Sequence, residues 1–194
     1  TKEKSDRILL EIAKENKIIG FSGKTSDVLN RHYQCAKEIN ADPIIRITSD
    51  CPLIDPKIVE EMIQFYLKNN YDVVSNTITP SYPDGLDIEI FSFNALKKAA
   101  KEAKKKHDRE HVTTYFGSHT KKFKIYDYQN KSDLSNFRWT VDRIQDMQFV
   151  RAVYSKIKPK KVFSMNEVLQ ILKKYPKIIE INKGIIRNEG HSKL

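Results

Sequence analysis

Apolar positions recur with helical spacing over residues 3–15 (EKSDRILLEIAKE), over 27–39 (DVLNRHYQCAKEI) and over 57–69 (KIVEEMIQFYLKN), which predicts three amphipathic helices early in the chain. Between them stand short β-rich runs: Lys17–Phe21, Pro43–Thr48 and Tyr71–Ser75. Pro56 suits the first position of the third helix, where its missing amide hydrogen is not needed, and Asp55 is placed to cap it. Helices alternating with short strands through brief connections predict a three-layer α/β fold with a mostly parallel central sheet. From Thr77 the rhythm changes. A proline-rich loop (ITPSYPDG) precedes LDIEIFS, which alternates with the period of a strand, and FNALKKAAKEAKKK then reads as a helix. FKIYDY and FRWTV read as further strands, DRIQDMQFVRAVYSKI and MNEVLQILKKY as amphipathic helices, and residues 184–194 as a flexible tail.

The 194 residues, 39% hydrophobic and 31% charged, suffice for one substantial core, and one domain over 1–194 is the default. No apolar run approaches the length that crosses a bilayer. Cys35 and Cys51 fall in a helix and at a strand end and read as free thiols of a cytoplasmic protein. The net charge of +10 favours an anionic partner. The lysines, however, gather on amphipathic segments rather than between stacking aromatics, which makes nucleic acid an unfavoured partner. Glycine-rich phosphate loops, CxxC pairs and HExxH zinc motifs are all missing from the sequence.

In a doubly wound sheet the ligand lies beyond the carboxyl ends of the strands. Asp50, in RITSDCPL, and Asp142, in RWTVD, each follow a predicted strand. Two converging carboxylates are hard oxygen donors suited to Mg²⁺, which completes its shell with phosphate oxygens and water. An aspartate between a strand and a helix is more often a cap, so each acid alone carries little weight. Asn76 follows the next strand and offers only an amide. In PDGLDIE, Asp84, Asp87 and Glu89 surround a glycine turn, and Asp87 and Glu89 share a strand face. REHVTTY adds Arg109, an anion anchor, and His111, a hydrogen-bonding imidazole; the same run also reads as a salt-bridged helix start.

The ordered motifs SDVLNRHYQCAKEINADPIIRITSDCPLIDP, YDVVSNT, YPDGLDIEIFSFNALKKA, REHVTTYF, LSNFRWTVDRIQDMQFVRAVY and IIEINKGIIRNEG resemble the spore-coat polysaccharide cytidylyltransferase family, itself similar to enzymes that activate acidic sugars with CTP. The resemblance implies a nucleotidyltransferase (Rossmann-like) fold that transfers a cytidylyl group from CTP to a sugar-like acceptor, with Mg²⁺ as cofactor and a homodimeric state. It matches Asp50 and Asp142 to catalytic, metal-binding aspartates and places Ser26, Asp27 and Arg31 near the nucleotide. Asp84, Asp87, Glu89, Arg109 and His111 fall on the acceptor side, and residues 85–135 form an acceptor-side insert that could also serve dimerisation. The family's opening strand and phosphate-wrapping loop do not precede Thr1, so the expectation is an N-terminally incomplete fold. Arg143-Ile144-Gln145 also replaces the family's usual helix opening. Two rivals stand beside the enzyme reading: an inactive nucleotide- or sugar-binding remnant, and a basic RNA- or protein-interaction domain.

Overall fold

A computed structural model describes residues 1–157, 162–185 and 187. The chain forms two compact units, each assembled from separate stretches: Thr1–Ile44 with Phe91–Ile125, and Ile45–Ile90 with Tyr126–Leu194.

The first unit is helical. It holds α1 (Arg7–Glu15), α2 (Val28–Glu38), α4 (Phe93–Glu102), α5 (Lys106–His111) and α6 (Thr114–Ser118). Helix α2 packs on α4 and α5, burying Leu29 and Ala36 of α2 and Ala95, Leu96 and Ala99 of α4. The alanines let two helices approach closely, and Tyr33 stacks on Phe93 at 5.8 Å between ring centroids. Helix α1 buries none of its residues; Ile8, Leu9 and Ile12 are exposed, as are Ile18 and Ile19 after it. The strand expected at Lys17–Phe21 does not form, since no neighbouring backbone supplies a ladder for it.

The second unit carries the main core. Helices α3 (Pro56–Lys68), α7 (Ile144–Tyr154) and α8 (Met165–Lys174) contribute Ile58, Met62, Phe149, Val150, Val153, Val168 and Leu172 to a cluster with Val74, Ile88, Ile90 and Trp139. Pro56 opens α3 as expected, and Asp55 accepts from Lys57 N at 2.9 Å. The other oxygen of Asp55 accepts from Met165 N at 2.7 Å. One buried carboxylate thus holds the starts of both α3 and α8.

The sheet contains β1 (Ile44–Arg46), β2 (Val73–Ser75), β3 (Glu89–Phe91) and β4 (Ile125–Asp127) in the order β1-β3-β2-β4, and most of its residues belong to the second unit. The expectation of a mostly parallel sheet is corrected: the strands are mostly antiparallel, with one parallel pair. The reason lies in the link from β2 to β3. No helix intervenes there, and the loop doubles back so that Asn76 N donates to Ile88 O at 3.2 Å. Strands joined without a crossover helix return alongside each other in opposite directions. LDIEIFS therefore enters the sheet between β1 and β2, and Glu89, Ile90 and Phe91 are all buried. FRWTV, expected as a strand, contributes only an isolated parallel bridge between Asp84 and Arg138.

Asn76 is the clamp of this loop. It is buried, its Nδ2 donates to Leu86 O at 2.7 Å, and its Oδ1 accepts from Ile88 N at 2.8 Å. Its amide is committed to the backbone on both its nitrogen and its oxygen.

Gly85 completes the loop, with φ +100° and an added Cβ only 2.6 Å from Thr140 N and 2.7 Å from Trp139 C. Both the dihedral and the contact demand glycine. Gly85→Ala is expected to cost about 2 kcal/mol or more, because backbone must separate from backbone. Urea unfolding checks this, and an unchanged midpoint would contradict it.

Candidate active site

Three segments of the second unit are tied together by their main chains. Val141 N donates to Asp50 O at 2.9 Å and Thr140 Oγ1 donates to the same oxygen at 3.3 Å. Asp84 N donates to Phe137 O at 2.9 Å, and Trp139 N donates to Asp84 O at 2.6 Å. The segment 137–142 is therefore tied to Asp84 through Phe137 and Trp139 and to Asp50 through Thr140 and Val141. Asp50, Asp84, Asp87 and Asp142, distant in sequence, gather beside it.

Arg138 organises these acids. Its side chain is 9% exposed and contacts three carboxylates. One Nη donates to Asp84 at 3.1 Å, the other to Asp142 at 2.7 Å and to Asp146 at 2.9 Å, while Nε reaches the second oxygen of Asp146 at 3.0 Å. The planar guanidinium makes this possible, since it offers donors in several fixed directions. Asp146 is fully buried. Besides Arg138 it accepts from Asn182 Nδ2 at 3.0 Å and from the backbone amides of Asp142 and Arg143 at 3.1 and 3.0 Å. The cap of α7 is thus Asp146, and Asp142 is left with its side chain 53% exposed.

Arg187 supplies a second cation. It donates to Asp87 at 2.8 Å and to Tyr82 O at 3.3 Å and lies 3.6 Å from Asp84. This residue belongs to the stretch expected as a tail; 186 and 188–194 lie outside the described residues. Glu89, by contrast, is buried and ion-paired with Arg46. Asp87 and Glu89, expected to share a strand face, have different partners, and Asp87 lies ahead of β3.

Burial raises the Asp84 carboxyl, with Arg187 and Arg138 opposing the rise. Burial also pushes Asp87 up to about 6; Arg187 opposes this, while Asp84, Glu89 and Asp50 add to it. Asp146 lies below the usual carboxylate range: burial raises it, but the bonds from Arg138, Asn182 and the Asp142 amide outweigh that cost. Burial drives the Cys51 thiol up to about 12, which leaves it neutral and a poor nucleophile.

The Asp87 shift makes a sign-definite prediction. Between the ordinary value of 3.8 and about 6 the folded chain holds a proton that the unfolded chain releases, so the Asp87 contribution to stability falls as pH rises through that window. Asp87→Asn is therefore expected to gain in thermal midpoint relative to the unsubstituted protein between pH 4 and pH 7. A constant difference across that range would contradict the assignment.

In the first unit the other residues singled out from sequence take different surroundings. Asp27 caps α2 by accepting from Asn30 N at 3.0 Å, and its other oxygen is ion-paired with Arg109. Arg109 also donates to Ala100 O at 2.6 Å. Two residues given separate roles, one toward nucleotide and one toward acceptor, thus form one pair. The Arg31 side chain lies over Gly23, where an added Cβ would come within 3.0 Å of it. Ser26 is exposed just ahead of the cap. The His111 ring stands 4.5 Å from that of His107.

Sequence reasoning passed over Arg138, Asp146, Asn182, Arg187 and Arg46. A readable signal existed for two of them: Arg138, Asp142 and Asp146 follow one another at intervals of four, with alternating sign at the first step. Nothing local marks Asn182 or Arg187.

Among the described residues no helix is long and apolar enough to cross a membrane. A solved cytidylyltransferase from Leptospira borgpetersenii superposes with a TM-score of 0.90 at 36% identity, covering 96% of this chain and 78% of that one. An uncharacterised protein of Methanocaldococcus jannaschii is 33% identical over 187 residues, 95% of this chain and 75% of the relative. A spore coat polysaccharide biosynthesis protein of Bacillus subtilis is 26% identical over 159 residues, 80% of this chain and 65% of the relative. The cytidylyltransferase family profile matches residues 1–185. The chain belongs to the cytidylyltransferase family.

Proposed function

We propose that this protein transfers a cytidylyl group from CTP to a sugar or sugar-like acceptor, releasing pyrophosphate, in the making of a surface polysaccharide. The observation that carries the reading is the pair of hydrogen bonds from Thr140 and Val141 to Asp50 O, which brings the chain segments of Asp50 and Asp142 side by side. The donor chemistry fits Mg²⁺. Asp50 is half-buried and Asp142 is half-exposed. Among the described residues Asp50 has no ion pair and Asp142 has Arg138 on one oxygen only. No group of three or more His, Cys, Asp or Glu side chains is placed to hold a metal among the described residues. Two carboxylates, with triphosphate oxygens and water to complete the shell, are a normal protein contribution for this cation. Asp50 and Asp142 are the residues that would hold Mg²⁺, which would supply neutralisation of charge on the phosphates.

In the reaction an acceptor oxygen attacks the α-phosphorus in line, the bond to the β-phosphate bridging oxygen breaks, and the acceptor proton is lost. Asp84 and Asp87, beside the segment that carries Asp142, form the acceptor side of this reading. Asp87, raised to about 6, is suited to hydrogen-bond sugar hydroxyls. Self-association as a homodimer belongs to the same reading. A pyrophosphate-release assay with CTP, ATP, GTP or UTP against a panel of acidic and neutral sugars tests it. Release that requires CTP, Mg²⁺ and one acceptor class is expected. Salt-sensitive binding of polynucleotide without binding of CTP would reject it in favour of a nucleic-acid module.

A further inference from the structure

Arg138 does more than the fold asks of it. Asp146 holds the guanidinium from the core through two of its five N–H donors, at 2.9 and 3.0 Å. Yet Arg138 also reaches out to the half-exposed Asp142 at 2.7 Å and to Asp84 at 3.1 Å. A bond to a carboxylate so open to water contributes little to stability. It does, however, place a fixed positive charge on a group that the proposed function assigns to a cation. Asp146 and Asn182 hold the guanidinium from behind: Asn182 Nδ2 donates to Asp146 and also to Arg138 O at 2.9 Å. The whole assembly is therefore anchored in the core, and Asp142 is its only outlying member.

We propose that Arg138 is a positioning residue acting through Asp142, a built-in counter-ion that orients the carboxylate and competes with a divalent cation for it. Because one oxygen of Asp142 is engaged by a guanidinium that cannot leave, a cation arriving without nucleotide meets a carboxylate whose charge is already half-spent. The triphosphate supplies the missing negative charge, so the site takes cation and nucleotide together. This rests on the assignment of Asp50 and Asp142 to the cation.

The test is a Mn²⁺ titration of the full chain without nucleotide, followed by electron paramagnetic resonance. Arg138→Met is expected to tighten Mn²⁺ binding about threefold to tenfold, as removal of one nearby positive charge at an exposed site would. In an Asp142→Asn background the same substitution is expected to change nothing. Tightening in a variant whose folding is weakened is not what a merely structural role yields. Because Arg138→Met strands the Asp146 charge, Arg138→Met with Asp146→Asn, which removes both members of the buried pair, serves as the second variant and is expected to tighten binding in the same direction but by less, since it frees the Asp142 oxygen without changing the net charge. Unchanged or weaker Mn²⁺ binding in both variants, or no binding in any of them, overturns the proposal. If Asp142→Asn alone leaves Mn²⁺ binding intact, the assignment of Asp142 to the cation fails first, and the proposal with it.

Discussion

Asp50→Asn is expected to lower CTP-dependent pyrophosphate release by about 100-fold or more while shifting the thermal midpoint only slightly, because the charge it removes is used on the phosphates and not in the fold. The structural part of this expectation is specific. Asp50 O, a backbone atom that the substitution leaves in place, accepts the bonds from Thr140 and Val141. The carboxylate itself accepts only a long contact from Cys51 Sγ at 3.5 Å, and it has no ion pair among the described residues. Asp142→Asn is expected to reduce turnover comparably, with a stability loss of about 1 kcal/mol or less from its exposed bond to Arg138. Measuring turnover and urea unfolding on the same preparations separates the roles. Parallel loss of activity and stability would mark either carboxylate as structural.

The largest effect on stability is expected at Asp146. Its carboxylate is fully buried and receives two bonds from Arg138, one from Asn182 and two from the amides opening α7. Asp146→Ala leaves a guanidinium that is 9% exposed without its main counter-charge and the amides of Asp142 and Arg143, just ahead of α7, without their acceptor. The expected cost is about 3–5 kcal/mol, the range for breaking a buried ion pair by removing one partner. Asp146→Asn, which can still accept from the amides, is expected to cost less. Urea unfolding of the two variants decides the point; equal costs would mean that the charge on Asp146 is unimportant.

Much of this architecture was written in local patterns. Pro56 with Asp55, and Ser164 ahead of Glu167, are helix starts whose chemistry is complete within a few residues, and both form. The segment around Asp50 was legible because a strand, an acid and a helix in close succession are a local arrangement; the run ahead of Asp142 forms only an isolated bridge. Sheet direction was not legible. It depends on whether the chain after β2 crosses over or doubles back, and Asn76 settles that through bonds to Leu86 and Ile88, ten and twelve residues away. LDIEIFS reads as an alternating strand, yet Glu89, Ile90 and Phe91 are all buried, because burial is decided by neighbours the strand does not contain. The partnership of Arg187 with Asp87 spans 100 residues, and only the folded chain brings it about. Asp27 and Arg109 were each visible as charged residues near a helix start, but the ion pair between them crosses 82 positions.

Incubation of the protein with Mg²⁺, a sugar panel and CTP labelled at the α-phosphorus, with mass spectrometry of the labelled products, tests the central claim most directly. The expected result is label joined to a sugar-like acceptor as its cytidylyl derivative, in step with pyrophosphate release and lost in Asp50→Asn. Label that stays in CTP with every acceptor, or transfer that proceeds undiminished in Asp50→Asn, would contradict it.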